Sequence, residues 1–434
     1  MRANRILPLF LSLALALGSA ACEKADGGAK DFQYEITGGG VVITGYAGHA
    51  HVVQIPEKIE GQPVTGIGDY AFAERAGLTG IAIPDGVTDI GKGAFMDCAG
   101  LTEIALPFSV TAIGKNAFEG CRGLTEIVIP GGVTKLENFT FMGCTGLTSV
   151  TVGNGVTSIG GNAFSDCKGL TEIVIPDGVT SIGGYAFSNC AGLKSVTLGN
   201  GVTSIGDYAF SYCTGLKEIT VPGSVNAIEK LAFYNCESLE RVTLGDGVAR
   251  IGEYAFSYCA SLKEITVPGS VNGIEKLTFY NCGELERVTI GNGVAHIGEG
   301  AFNGCAGLKE IVIPDSVTAV GDGAFYNCDG LERVTLGNGL TGIGKGMFSR
   351  LGKLESVTIG EGVTNIGDTA FWGCERLERI AIPDGVNSVG EGAFTGCVNL
   401  TAVYKGAEYK AESGAARGTA YDLPRSFYDR VNGG

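Results

Sequence analysis

The chain has 434 residues, a formal net charge of −15, 44% hydrophobic and 18% charged residues, and 72 glycines. An acidic chain without a basic cluster repels phosphate backbones and anionic lipid, which argues against nucleic-acid binding and leaves any membrane contact to an anchor. The apolar content is too high for disorder and the glycine content too high for a helical bundle, and the glycines follow no collagen-like period.

At the N-terminus, Arg2 and Arg5 precede the apolar run "ILPLFLSLALAL", small residues and Cys22. Such a run suits the hydrophobic part of an export signal and is too short to span a bilayer. The segment resembles a bacterial lipoprotein signal, which implies cleavage after Ala21 and a lipid on Cys22. Ser19 stands where that signal usually has a leucine-like residue, and ordinary cleavage before Cys22 is the alternative. Residues 1–21 are thus expected to be signal peptide and 22–31 a flexible tether. Losing Arg2 and Arg5 takes the net charge from −15 to about −17. Residues 32–71 are expected to cap the repeats that follow, since the end of a repeat stack must block edge-to-edge pairing. Val64 and Ile67 already share the repeat register.

From Phe72 to Phe394, fifteen phenylalanines stand 23 residues apart without a slip, and leucine occupies the sixth place after each, from Leu78 to Leu400. In the unit starting at Phe164, Ile173 and Ile175 alternate with outward residues as in a short strand. Pro176-Asp177-Gly178 is turn chemistry, and Val179 and Ile182 point inward again along a second extended side. Ala186, Phe187, Cys190 and Leu193 lie about three apart, which suggests a helical or 3-10 turn. No single unit can bury its apolar face alone, so stacked units are expected to bury it jointly. The fold class is therefore a β-rich repeat solenoid over residues 72–400, with about fifteen coils, one continuous parallel sheet and short helical turns. The pattern L-x-x-[IL]-x-[IL]-P-x-x-[VI]-x-x-I-G-x-x-A-F-x-x-C resembles the leucine-rich repeats of BspA-like bacterial surface proteins. Glu137, Glu229 and Glu275 depart from its "IG" glycine, and Met347 from its alanine. After Leu400 the period breaks, and residues 401–434 read as a C-terminal cap and tail.

Cysteine occupies the third place after thirteen of the phenylalanines, with Arg75 and Leu351 as exceptions. Zinc sites need clustered ligands, and the chain has only His49, His51 and His296. Thirteen equivalent thiols without neighbouring bases cannot all be nucleophiles. Disulfides are the serious rival in an exported protein, but parallel Cβ vectors keep stacked cysteines too far apart. The ladder cysteines, Cys213 among them, therefore read as buried free thiols.

Recognition then falls to outward positions. Glu218, Arg241, Glu264 and Arg287, continued by Glu310 and Arg333, alternate in sign from coil to coil, and Lys217, Glu240, Lys263 and Glu286 alternate beside them. These rows read either as a self-neutralising solvated face or as a binding face. They also show that a 46-residue double unit was duplicated. The second candidate is aromatic: Tyr185, Tyr208, Tyr212, Tyr234, Tyr254, Tyr258, Tyr280 and Tyr326 lie one or two residues from a repeat phenylalanine, as does Trp372. They read as surface cover or as a contact face, because a tyrosine offers area with a polar tip. No phosphate loop, calcium loop or catalytic set stands out, so neither an enzyme nor a cofactor is expected. The resemblance implies a cell-surface adhesion module for a host matrix protein, another cell or a glycan. A structural envelope spacer is the alternative, and oligomeric state is left open.

Overall fold

The computed structural model describes residues 29–413 and 421–433. The expected signal peptide, Cys22 and the first part of the tether lie outside the described residues. The chain forms two compact units, Met1–Val202 with Cys213–Gly215, and Thr203–Tyr212 with Leu216–Gly434.

In the first unit the strand Phe32–Thr37 runs antiparallel to Gly40–Tyr46, which pairs in parallel with Gln62–Ile67. That strand in turn pairs with Asp89–Ile90, placing Ile67 opposite Ile90. Each coil contributes two strands. The first row contains segments such as Glu126–Val128 beside Ser149–Thr151, and the second contains Lys135–Leu136 beside Ser158–Ile159. Both are parallel and in register at the 23-residue spacing, so identical positions stack. The sequence reading expected one sheet; the second extended side also pairs, giving two parallel rows. Between the rows the chain turns at proline or glycine; at two of the prolines, Val133 and Val179 donate their N–H to Pro130 and Pro176 at 3.1 Å. Both valines are then fully buried.

The third side keeps the expected three-residue turn, with Cys167 donating its N–H to Phe164 at 3.2 Å and Leu170 to Cys167 at 3.1 Å, but does not build a helix from it. Where a helical or 3-10 turn is suggested, the backbone makes a run of turns with no helix. The N–H of Phe164 bonds to Ala186 of the next coil at 2.8 Å, and that of Phe141 to Ala163 at 2.8 Å. Donors spent between coils are not available for a helical ladder within one. The chain also enters the left-handed region twice in each coil, two residues before and two after the phenylalanine, as at Asn162 (φ 55°) and Asp166 (φ 61°). Those reversals break helical continuation.

Within each unit the phenylalanines stack. In the first unit Phe95, Phe118, Phe141 and Phe164 follow one another at 5.3, 5.2 and 5.3 Å with nearly parallel rings. Tyr46 extends that stack beyond Phe72 at 5.7 Å, and Phe32 packs on Tyr46. In the second unit Phe233 and Phe256 lie 5.2 Å apart, and the stack ends where Phe427 meets Phe394 edge-on at 6.0 Å and 76°. Phe427 belongs to the helix Arg425–Asn432, which ends at Gly433 in the left-handed conformation. Before that helix, Thr401–Tyr404 continues the first strand row and turns back through Lys405 and Gly406 into Ala407–Lys410. The amide of Asn432 accepts from the Val389 N–H at 2.7 Å and donates to its carbonyl at 3.1 Å. A side chain thus satisfies the backbone of the last second-row strand, where another chain would otherwise pair.

Candidate binding surface

Every ladder cysteine from Cys98 to Cys397 is buried and unbridged. Each thiol for which a bond is described points at the carbonyl of the phenylalanine one coil back: Cys98 to Phe72 at 3.0 Å, Cys213 to Phe187 at 3.1 Å, Cys282 to Phe256 at 3.2 Å. The side chain therefore fills a methyl-sized space and satisfies a buried acceptor with its weak donor. In the first coil Arg75 takes this role, its guanidinium donating to the Tyr46 carbonyl. Burial pushes the thiols far from reactivity, to about 11 for Cys98 and about 12 for Cys144, Cys282 and Cys328. Only the thiolate is a nucleophile or metal ligand, and these four thiols stay protonated at neutral pH. Among the described residues no cluster of His, Cys, Asp and Glu is arranged to hold a metal.

The charged candidates close on themselves. Arg241 meets Glu218 at 3.1 Å, Arg287 meets Glu264 at 3.2 Å, and Arg333 meets Glu310 at 3.1 Å, all well exposed. Pairing within each double unit makes this row neutral, and exposed pairs of this kind contribute about 0–1 kcal/mol. The three glutamates that replace the repeat glycine are likewise engaged, Glu137 with Lys135, Glu229 with Arg250 and Glu275 with His296. Over the first strand row of the second unit lies an open groove of about 1180 Å³, lined by Arg287, Glu310, Val312, Arg333 and Thr335 among others. Of the alternating charged rows it takes in Glu286, Arg287, Glu310 and Arg333, and it takes in none of the candidate tyrosines.

The tyrosines divide into groups. Tyr212, Tyr234, Tyr258 and Tyr280 form one row in the second unit, with successive centroids 5.4, 5.4 and 5.3 Å apart and rings crossing at 70°, 73° and 78°. Partial burial, with the neighbouring phenols, raises the pKa of Tyr234 and Tyr258. On the other side of the phenylalanine stand Tyr208 and Tyr254, with the Lys230 ammonium 5.9 Å from the Tyr254 ring and 3.2 Å from Glu253. Tyr185, Tyr326 and Trp372 do not join the row; Trp372 is covered by Arg350, whose guanidinium lies 4.9 Å from the ring.

Backbone geometry adds what the sequence reading missed. Tyr185, Tyr208, Tyr212, Tyr254 and Tyr258 all sit at positive φ, between 56° and 59°. Glycine fills the same places in other coils, as Gly93, Gly300 and Gly392 before the phenylalanine, and Gly120, Gly304 and Gly396 after it. A bulky L residue there costs about 1–2 kcal/mol. The signal was legible: Gly and Asn recur at both offsets, and Asp at the second, which is the usual mark of left-handed backbone.

The family described as BspA type leucine rich repeat region matches residues 65–194, 180–309 and 295–410. Among solved structures, a leucine-rich repeat protein from Bacteroides ovatus is 29% identical, with a TM-score of 0.63 over 87% of this chain and 88% of that one. A leucine rich cell surface protein from Faecalibacterium prausnitzii is 30% identical over 88% of this chain and 95% of that one, with a TM-score of 0.39. Comparison with curated proteins gives no match.

Proposed function

The chain belongs to the BspA-type leucine-rich repeat family, and on that premise we propose that it is an exported, non-enzymatic binding module whose outward tyrosines recognise an extracellular protein or glycan. One observation carries this reading: tyrosines stand at left-handed positions that glycine fills elsewhere in the same molecule. Backbone geometry disfavours them and the core does not need them, so their rings, exposed at Tyr185 and Tyr212 and half-buried at Tyr208, Tyr254 and Tyr258, are the retained feature. The Faecalibacterium relative is named as a cell surface protein, which supports export.

The substitutions Tyr208→Gly and Tyr254→Gly test the reading, because glycine already serves at this offset. Stability is expected to stay within about 1 kcal/mol of the parent, as relief at positive φ offsets the lost ring contacts and the added chain entropy. Binding to a panel of matrix proteins and glycans is expected to be saturable and to weaken at least about tenfold in the double variant. Binding that ignores both substitutions, or no saturable binding to any of the panel, would favour the envelope spacer.

Anchoring through Cys22 forms part of the same proposal and rests on the signal-like sequence around it. The chain has 14 cysteines, all but Cys22 in the ladder. The folded protein is expected to resist thiol reagents, and the denatured, unreduced protein to expose about thirteen thiols, with Cys22 blocked by lipid. Fourteen would remove the lipid, and almost none would mean that the ladder is oxidised.

A further inference from the structure

We propose that Asn154, Asn200, Asn292 and Asn338 are modification sites, at which the folded chain deamidates through a cyclic imide. The chain holds seven Asn-Gly pairs, at 154, 200, 272, 292, 303, 338 and 432. Glycine after asparagine leaves the main-chain nitrogen sterically open to the side-chain carbonyl. What the sequence leaves alike, the backbone divides. At the four turns between the strand rows, the closing bond comes from the residue after the glycine. Val156, Val202, Val294 and Leu340 donate to the carbonyls of Gly153, Gly199, Gly291 and Gly337 at 3.1, 3.2, 3.1 and 3.4 Å. Among the described residues the N–H groups of Gly155, Gly201, Gly293 and Gly339 have no hydrogen-bond partner, and the four asparagines are exposed. The other three pairs are held. Gly304 donates to Tyr326 at 2.9 Å, and Gly433 to Asp429 at the end of its helix. Gly273 lies buried in the second strand row, opposite His296. Asn272 and Asn432 are exposed too, so exposure alone does not separate the groups.

The stack itself requires the turn glycines. A Cβ on Gly155, Gly201, Gly293 or Gly339 would collide with the carbonyl oxygen of Gly131, Asp177, Gly269 or Asp315, one coil back. In the reaction the glycine nitrogen sheds its proton to solvent and bonds to the asparagine Cγ, and the side-chain nitrogen leaves as ammonia. Water then opens the imide on either side, giving aspartate or isoaspartate; the net change consumes one water and releases one ammonia. At Asn338 the Glu361 N–H donates to Oδ1 at 3.0 Å, where negative charge develops during the attack. Aspartate is native at this offset, as Asp85, Asp177, Asp246, Asp315 and Asp384, so that product keeps the turn. Isoaspartate adds a carbon to the main chain and disturbs it. Either product also gathers like charge, since Asn200 stacks on Asp177 and Asn338 on Asp315, each through its N–H at 2.7 Å.

The test incubates the folded protein near neutral pH and follows each Asn-Gly peptide by mass spectrometry, with the chain unfolded in urea beside it. In the folded protein the four turn peptides are expected to gain one mass unit at least about tenfold faster than those of Asn272, Asn303 and Asn432, whose reaction waits on local opening. In urea that protection is lost, and all seven are expected to react within about threefold of one another. Asn338→Gln is expected to silence its own peptide and leave the other three turn rates unaltered, because coils couple only to their neighbours. Turn peptides as slow as the other three in the folded protein, or the same spread of rates in urea as in the fold, would overturn the inference.

Discussion

Raising the pH from about 8 to about 10 is expected to lower the unfolding free energy by about 2 kcal/mol for each thiol held near 12. Cys144, Cys282 and Cys328 are held there by burial, and Cys98 at about 11. An unfolded cysteine ionises near 8.5, so above that pH the unfolded chain releases protons that the folded chain keeps. The folded value is the raised one. Its contribution is therefore complete below about pH 8.5 and is lost as the pH climbs toward 12. With many equivalent thiols in the stack the losses accumulate, and alkaline unfolding is expected well before lysine side chains discharge. Urea unfolding at the two pH values, for the parent and for Cys282→Ala, checks the cause. The variant is expected to be less stable at pH 8, having lost the bond to the Phe256 carbonyl, yet to show a smaller drop on going to pH 10. Equal drops in the two proteins would separate alkaline instability from the thiol ladder.

The second large effect is expected from Phe256→Ala. That ring is fully buried between Phe233 at 5.2 Å and Phe279 at 5.7 Å. Deleting it removes the transfer energy of an aromatic side chain and leaves a cavity that the rigid coils on either side cannot collapse into, a loss of about 3–5 kcal/mol. Because a repeat stack is held by nearest-neighbour contacts, the loss should be local. Amide hydrogen exchange is expected to quicken in the coils around Phe233, Phe256 and Phe279 and to stay near the parent rate around Phe95. Tyr258→Ala, two residues further on but at the surface, is expected to cost less than half as much. A uniform loss of protection, or equal costs for the two substitutions, would contradict a stack of locally coupled coils.

Much of the fold was legible because the period is unbroken. Phenylalanine, leucine and cysteine at fixed offsets can only be one inward face repeated, and the structure buries all of them as such. The cysteine at 213 could be read as a core residue from its spacing and from the leucine that replaces its counterpart at 351. The third side of the coil was less legible. A three-residue apolar spacing describes a helical turn and a chain of left-handed turns equally well, and what separates them is where the N–H groups go. Those of Phe141 and Phe164 go to the next coil, a destination no local pattern contains. The reach of Tyr46 onto Phe72 and of Phe427 onto Phe394 was hidden for a similar reason, since each acts from outside the repeat.

The surface follows the same division. Sequence alone determined that Glu218, Arg241, Glu264 and Arg287 alternate and that tyrosines gather in the middle coils, because both are properties of order along the chain. Only the tertiary structure decided which of them act together. In-register stacking brings residues 22 to 24 positions apart to a single coil spacing, so Arg241 closes on Glu218 and Arg287 on Glu264, while Tyr212, Tyr234, Tyr258 and Tyr280 become one continuous row. The backbone conformation then fixes the cost of each tyrosine, since φ depends on hydrogen bonds made between coils. A repeat sequence thus writes its core directly, whereas its surface becomes readable once the coils are laid one upon another.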